Sequence, residues 1–115
     1  EGYVPMTSYW LVDASGAVLG ESRLRHHLSP ALELEGGHIG YAIRPAARRQ
    51  GYGTLILALT LEKARSRGLQ QVMVTCDTDN IASARIIEKN GGLLAGSAIS
   101  PRSGKPVSQY WINLD

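Results

Sequence analysis

Between residues 37 and 76 the hydrophobic period of the chain switches twice, and the switches bracket a run of arginines and glycines. Residues 38–43 (His-Ile-Gly-Tyr-Ala-Ile) read as a strand, and Pro45, which lacks the N–H a central ladder needs, ends it. Residues 51–67 read as a helix: Leu55, Ala58, Leu59 and Leu61 recur at helical spacing, residues 62–67 are polar, and Gly68 supplies the stop. Residues 71–76 (Gln-Val-Met-Val-Thr-Cys) then read as a buried strand. Strand, helix and strand in this order demand a crossover, so the two strands are expected to run parallel, with the helix packed on a sheet face.

The turn from the first strand into the helix, Arg48-Arg49-Gln50-Gly51-Tyr52-Gly53, is built for an anion. A helix start leaves N–H groups without intrahelical partners, and the aligned peptide dipoles place partial positive charge there. Arg44, Arg48 and Arg49 add cationic side chains, with no acid between them. A Walker loop needs Gly, four residues, then Gly-Lys-Ser/Thr, which is not supplied. The dinucleotide fingerprint fits Gly51 and Gly53, but Ile56 stands where its third glycine belongs, even though Asp77 lies at a suitable ribose-binding distance. Taken alone, the glycine pair is equally explained by a helix start at Gly51 and close packing at Gly53.

Two neighbouring segments add to that loop. Gly37-His-Ile-Gly-Tyr-Ala-Ile-Arg-Pro45 precedes it, and Asn80-Ile-Ala-Ser-Ala-Arg-Ile-Ile-Glu-Lys-Asn-Gly-Gly92 follows the second strand. With Arg-x-x-Gly-x-Gly between them, they resemble, in order and spacing, the acyl-CoA motifs of the GNAT N-acetyltransferase superfamily over about half the chain. The resemblance implies an α/β (α+β) fold: a mixed, mostly antiparallel twisted sheet with a central parallel pair splayed for acyl-CoA and helices on its faces. It implies acetyl-CoA as co-substrate; no metal is expected, because the histidines have no third ligand at convincing spacing. It assigns the pantetheine arm to Tyr41, Ala42 and Ile43, and the diphosphate to Arg48, Arg49, Gln50, Gly51, Tyr52, Gly53 and Thr54. Asn80, Ser83 and Arg85, at the start of the following helix, complete the implied cofactor set. Asn80 serves equally as a helix cap, and Arg85 equally as a solvated surface residue.

The remaining sequence agrees with one small domain over residues 1–115. A chain of 115 residues with 43% apolar content can bury a core without disulfides, and its single cysteine permits no internal bridge. No apolar run approaches the roughly 20 residues that span a bilayer. A net charge of +2 is too small to indicate nucleic acid. A cytoplasmic setting is expected, with neither membrane nor nucleic acid as partner. Residues 8–12 and 17–25 read as a hairpin around the turn 13–16; Ser29-Pro30 interrupts the pattern; residues 93–99 and 107–114 read as closing strands. The chain starts at Glu1, close to a strand, where the resembling family has one further strand and two helices. An N-terminally incomplete domain is therefore expected, with an open strand edge that a second copy could cover as a homodimer.

The implied reaction is direct attack of a primary amine, from a small molecule or a peptide, on the thioester within a ternary complex. An amine with a pKa near ~10.4 is protonated at neutral pH, so a base or a water relay is needed. Many relatives protonate the departing thiolate with a Tyr in the Asn80 helix; here Ile87 occupies that position. His38 is the replacement candidate as base, and Tyr41 and Tyr110 are the candidates as proton donor; each also has a purely structural reading. His26 and His27 point to opposite faces of their strand, so one of them can share a cleft with His38. Cys76 could carry a covalent acyl group or be a small buried hydrophobe. Glu33 and Glu35 could favour a cationic acceptor or form a solvated turn. The other function class the residues allow is a CoA-binding sensor or scaffold without turnover.

Overall fold

A computed structural model describes residues 4–114. The elements run β1 (Met6–Val12), β2 (Val18–Arg25), α1 (Pro30–Leu34), β3 (Ile39–Ile43), a 3-10 turn (Pro45–Ala47), α2 (Tyr52–Ser66), β4 (Gln71–Asp77), α3 (Ile81–Lys89), β5 (Leu93–Ile99) and β6 (Pro106–Asn113). The α+β class expected from the sequence is the one observed, and all the expected strands and both long helices are present, with ends shifted by a residue or two. Helix α1 is additional. Its Ser29 cap accepts from the Leu32 amide and Pro30 opens its first turn, so the Ser29-Pro30 pair expected to interrupt the pattern instead starts a helix.

The strands form two antiparallel three-stranded sheets, ordered β1-β2-β3 and β4-β6-β5. The expected central pair, β3 and β4, has no continuous ladder and is joined at a narrow seam. There the His38 amide donates to the Met73 carbonyl (2.7 Å), and the Met73 amide donates to Nδ1 of His38 (2.9 Å). Gly37 lies so close to β4 that a Cβ there would sit 2.4 Å from the Met73 carbonyl oxygen. Beyond this seam each strand is the edge of its own sheet.

Helix α2 covers both β2 and β3 through Ile56, Leu57, Thr60, Leu61 and Ala64, all buried. This face is rotated from the stripe read in the sequence, since Leu55 and Leu59 are 43% and 42% exposed. The discrepancy comes from Thr60. Its hydroxyl donates to the Ile56 carbonyl and shares a 2.7 Å hydrogen bond with the buried Ser22 of β2, so a polar residue sits on the core side at little cost. Leu24, Ile39, Val72, Val74, Ile87, Tyr110 and Ile112 complete the core. Among the described residues no helix is long and apolar enough to cross a membrane.

Candidate functional site

Where β3 and β4 part, a cleft of about 830 Å³ opens between β3 on one side and α3 on the other, with the start of α2 at its mouth. Twelve of the thirteen residues expected to bind the cofactor line it: Tyr41, Ala42 and Ile43 from β3, Arg48, Arg49, Gly51, Tyr52, Gly53 and Thr54 from the loop and α2, and Asn80, Ser83 and Arg85 from α3. Gln50, the thirteenth, is exposed and does not line it. Lys89 does line it and was missed. Its signal was present, since it follows Arg85 by four residues and therefore stands on the same helical face.

The mouth has the build of an anion cradle. Gly51 adopts φ +83° at the N-cap of α2, and no side chain caps that end, so the first amides of the helix keep their donor capacity. Arg49, with φ +66°, is the one non-glycine residue at positive φ among the described residues, and a left-handed residue two positions before Gly51 belongs to the turn conformations that build anion-binding concavities. Arg48 is braced by its Nε, which donates to the Ile43 carbonyl at 3.0 Å. A diphosphate fits this donor set.

Along the cleft, β3 pairs only with β2, and its other edge is the one presented to the cavity. An unpaired strand edge inside a cleft suits an extended ligand carrying amides of its own. The opposite wall is fixed by Asn90, whose Nδ2 donates to the carbonyls of Thr54 and Ile86 and so ties the end of α3 to the start of α2. Asn80 caps α3, its Oδ1 accepting from the Ser83 amide at 3.1 Å, which leaves the side-chain nitrogen as a donor. Tyr41 and Ser83 share a 2.8 Å hydrogen bond across the cleft. Burial pushes the Tyr41 phenol up, the Ser83 contact opposes this, and the Cys76 thiol adds to the rise. Burial likewise pushes up Cys76 itself, with Asp77 adding and a Ser83 hydrogen bond partly offsetting.

The other chemically interesting residues lie elsewhere. His38 is 6% exposed in the seam, and its pKa is lowered by burial and, secondarily, by His27. His26 bonds the Thr7 hydroxyl, and His27 is exposed beside the Leu28 carbonyl. Glu35 accepts from the Ser100 hydroxyl at 2.7 Å, which organises the loop between β5 and β6, while Glu33 faces solvent. Ile87 is fully buried.

A family model described as the GNAT acetyltransferase domain matches residues 3–92. The chain belongs to the GNAT acetyltransferase family. Solved structures show how widely this GNAT fold is shared. One is yncA of Salmonella typhimurium, a proposed acetyltransferase, with its cofactor acetyl-CoA; identity is 19%, coverage 87% of this chain and 60% of that one, and TM-score 0.73. Another is a spermidine N-acetyltransferase from Vibrio cholerae in complex with CoA and spermine, at 13% identity, 95% and 66% coverage and TM-score 0.78. A proposed phosphinothricin N-acetyltransferase is 22% identical, with 94% and 71% coverage and TM-score 0.75. The GNAT chain described here thus spans about three fifths of the length of the first of these and two thirds or slightly more of the others. No curated protein matches it in sequence.

Proposed function

We propose that this chain is an acetyl-CoA-dependent N-acetyltransferase that transfers the acetyl group to a primary amine by direct attack in a ternary complex. The carrying observation is the continuity of one cleft from the uncapped α2 start, with Arg48 and Arg49, along the open β3 edge at Tyr41, Ala42 and Ile43. In this reading the loop amides hold the diphosphate, the β3 edge takes the pantetheine amides, and Asn80, Arg85 and Lys89 flank the nucleotide half. His38 acts as a clamp between the sheets, because its Nδ1 is already engaged by the Met73 amide. The acceptor is a small-molecule or peptide amine, and a cytoplasmic location suits it. The solved relatives named for spermidine and phosphinothricin support an amine.

Calorimetric titration with acetyl-CoA tests the donor site, with micromolar binding expected. Thiol release with spermidine and other primary amines as acceptors then tests transfer. No acetyl-CoA binding by the full-length protein refutes the reading. A second reading, a CoA-binding module without turnover, draws on the absence of any Asp, Glu or His among the described residues lining the cleft. Tight binding without transfer to any amine would favour it.

A further inference from the structure

We propose that Tyr41, hydrogen-bonded to Ser83, is the proton donor to the departing CoA sulfur. The inference rests on the acetyl-CoA reading above and adds a named acid to it. Transfer leaves a thiolate inside the cleft, and a side chain able to give up a proton there speeds its departure. Among the described residues lining the cleft, the proton-bearing groups are Tyr41, Tyr52, Lys89 and the arginines, together with hydroxyls too weakly acidic to act alone. Arg48, Arg49 and Tyr52 belong to the anion cradle at the mouth. Arg85 and Lys89 stand further along α3 than Ser83, with Lys89 six residues beyond it, about 9 Å along the axis at ~1.5 Å per residue.

Tyr41 stands apart from them. It precedes the cradle on β3, so a ligand running along the strand from a diphosphate at the loop brings its far end to this phenol. At ~3.3 Å per residue, the strand from Tyr41 to Arg44 covers about 10 Å. The phenol is half-buried and its hydroxyl reaches across to Ser83 Oγ at 2.8 Å. The groups facing it are Ser83 from α3 and the Cys76 thiol from β4, neither of them a carboxylate or a cation. Burial and the Cys76 thiol hold the phenol protonated, as a donor must be, and the Ser83 bond only partly opposes them.

The step balances as follows. The amine lone pair forms the C–N bond at the thioester carbonyl carbon, and the proton lost from nitrogen passes to water. The C–S bond breaks with its electron pair on sulfur, and the sulfur takes the Tyr41 hydroxyl proton, so CoA departs as a thiol. The Tyr41 oxygen regains a proton from Ser83 Oγ, which is resupplied by water.

The test needs no knowledge of the acceptor. The thiol of CoA bound to the full-length protein is titrated by its ultraviolet thiolate absorbance, taken as a difference against the complex with desulfo-CoA. A Tyr41 hydroxyl aimed at sulfur stabilises the thiolate, so Tyr41→Phe, titrated at CoA and desulfo-CoA concentrations that saturate it, is expected to raise the bound thiol's pKa by about one unit. Ser83→Ala, which keeps the phenol and removes its partner, should raise it less. A bound thiol that titrates alike in wild type and Tyr41→Phe overturns the proposal. If Tyr41→Phe no longer binds desulfo-CoA, Ser83→Ala decides, no rise counting against the proposal. Failure of the wild-type protein to bind CoA overturns the acetyl-CoA reading instead, a result distinct from an unshifted thiol.

Discussion

Gly51 and Gly53 are two residues apart and serve different ends. A Cβ at Gly51 would meet nothing within 4 Å, yet the residue sits at φ +83°, where an L side chain is strained. Gly53 adopts an ordinary helical φ, yet a Cβ there would lie 2.6 Å from Cδ1 of Ile86. Gly51→Ala is therefore expected to cost about 1–2 kcal/mol in stability through the backbone alone. By turning the cradle amides away, it should also weaken acetyl-CoA binding roughly tenfold, as a loss of ~1.4 kcal/mol would do. Calorimetry on the variant checks this, and an unchanged Kd would contradict the cradle. The sequence already offers a helix start at Gly51 and close packing at Gly53 as one account of the pair; it shows neither the left-handed φ at Gly51 nor Ile86 as the neighbour of Gly53. A left-handed φ leaves no trace in composition. His38 shows the same limit: its residue type suggests proton chemistry, while the Met73 amide that occupies Nδ1 comes from 35 residues away.

At the level of elements, the cleft depends on how closely α2 and α3 approach, and Gly53, Ile86 and Asn90 set that approach. Gly53→Ala should destabilise by about 1–3 kcal/mol through overpacking. Ile86→Val removes the offending Cδ1 and by itself costs about 0.5–1.5 kcal/mol. In urea denaturation the double variant should be more stable than the sum of the two singles predicts. Strict additivity would mean that the helices are held apart by something else. The existence and limits of α2 and α3 were legible because periodicity, the Asn80 cap and the Gly68 stop all act locally. Their buried faces were less so: Thr60 turns inward because Ser22, on a distant strand, gives its hydroxyl a partner, and Ile81, an apolar residue opening α3, is 59% exposed. The lining of the cleft was readable in part, since a motif compresses tertiary geometry into spacing; Gln50 lies outside the cleft, and Lys89 and the hydrogen bond at His38 Nδ1 leave no mark in the motif.

Over the whole molecule, two sheets meet at one narrow seam, and the seam includes an imidazole. His38 is held below its ordinary pKa by burial, and the neutral ring is the form that accepts from Met73. Because the folded pKa is depressed below the unfolded value of about 6.5, the contribution of His38 is fully present above pH ~6.5 and is lost as pH falls from there through the folded pKa. Wild-type stability should therefore decline more steeply between neutrality and mild acid than that of His38→Asn, whose amide oxygen accepts without titrating. Denaturant midpoints measured across that range check the slope, and parallel curves would sink the account. The α+β class, the crossover and the splayed pair could all be read in advance; the division into two separate sheets could not, because it depends on where two edges stop touching.

That division has a consequence for how the protein comes together. The ladders of the first sheet use only residues 6–43 and those of the second only residues 71–113, so each half of the polypeptide completes its own pairings, and the entropy of joining distant segments falls on the contacts between the halves, His38 with Met73, Leu34 with Gln109 and Glu35 with Ser100 among them. The cleft is thus a border between two separately paired halves, and its shape is inherited from the place where β3 and β4 part.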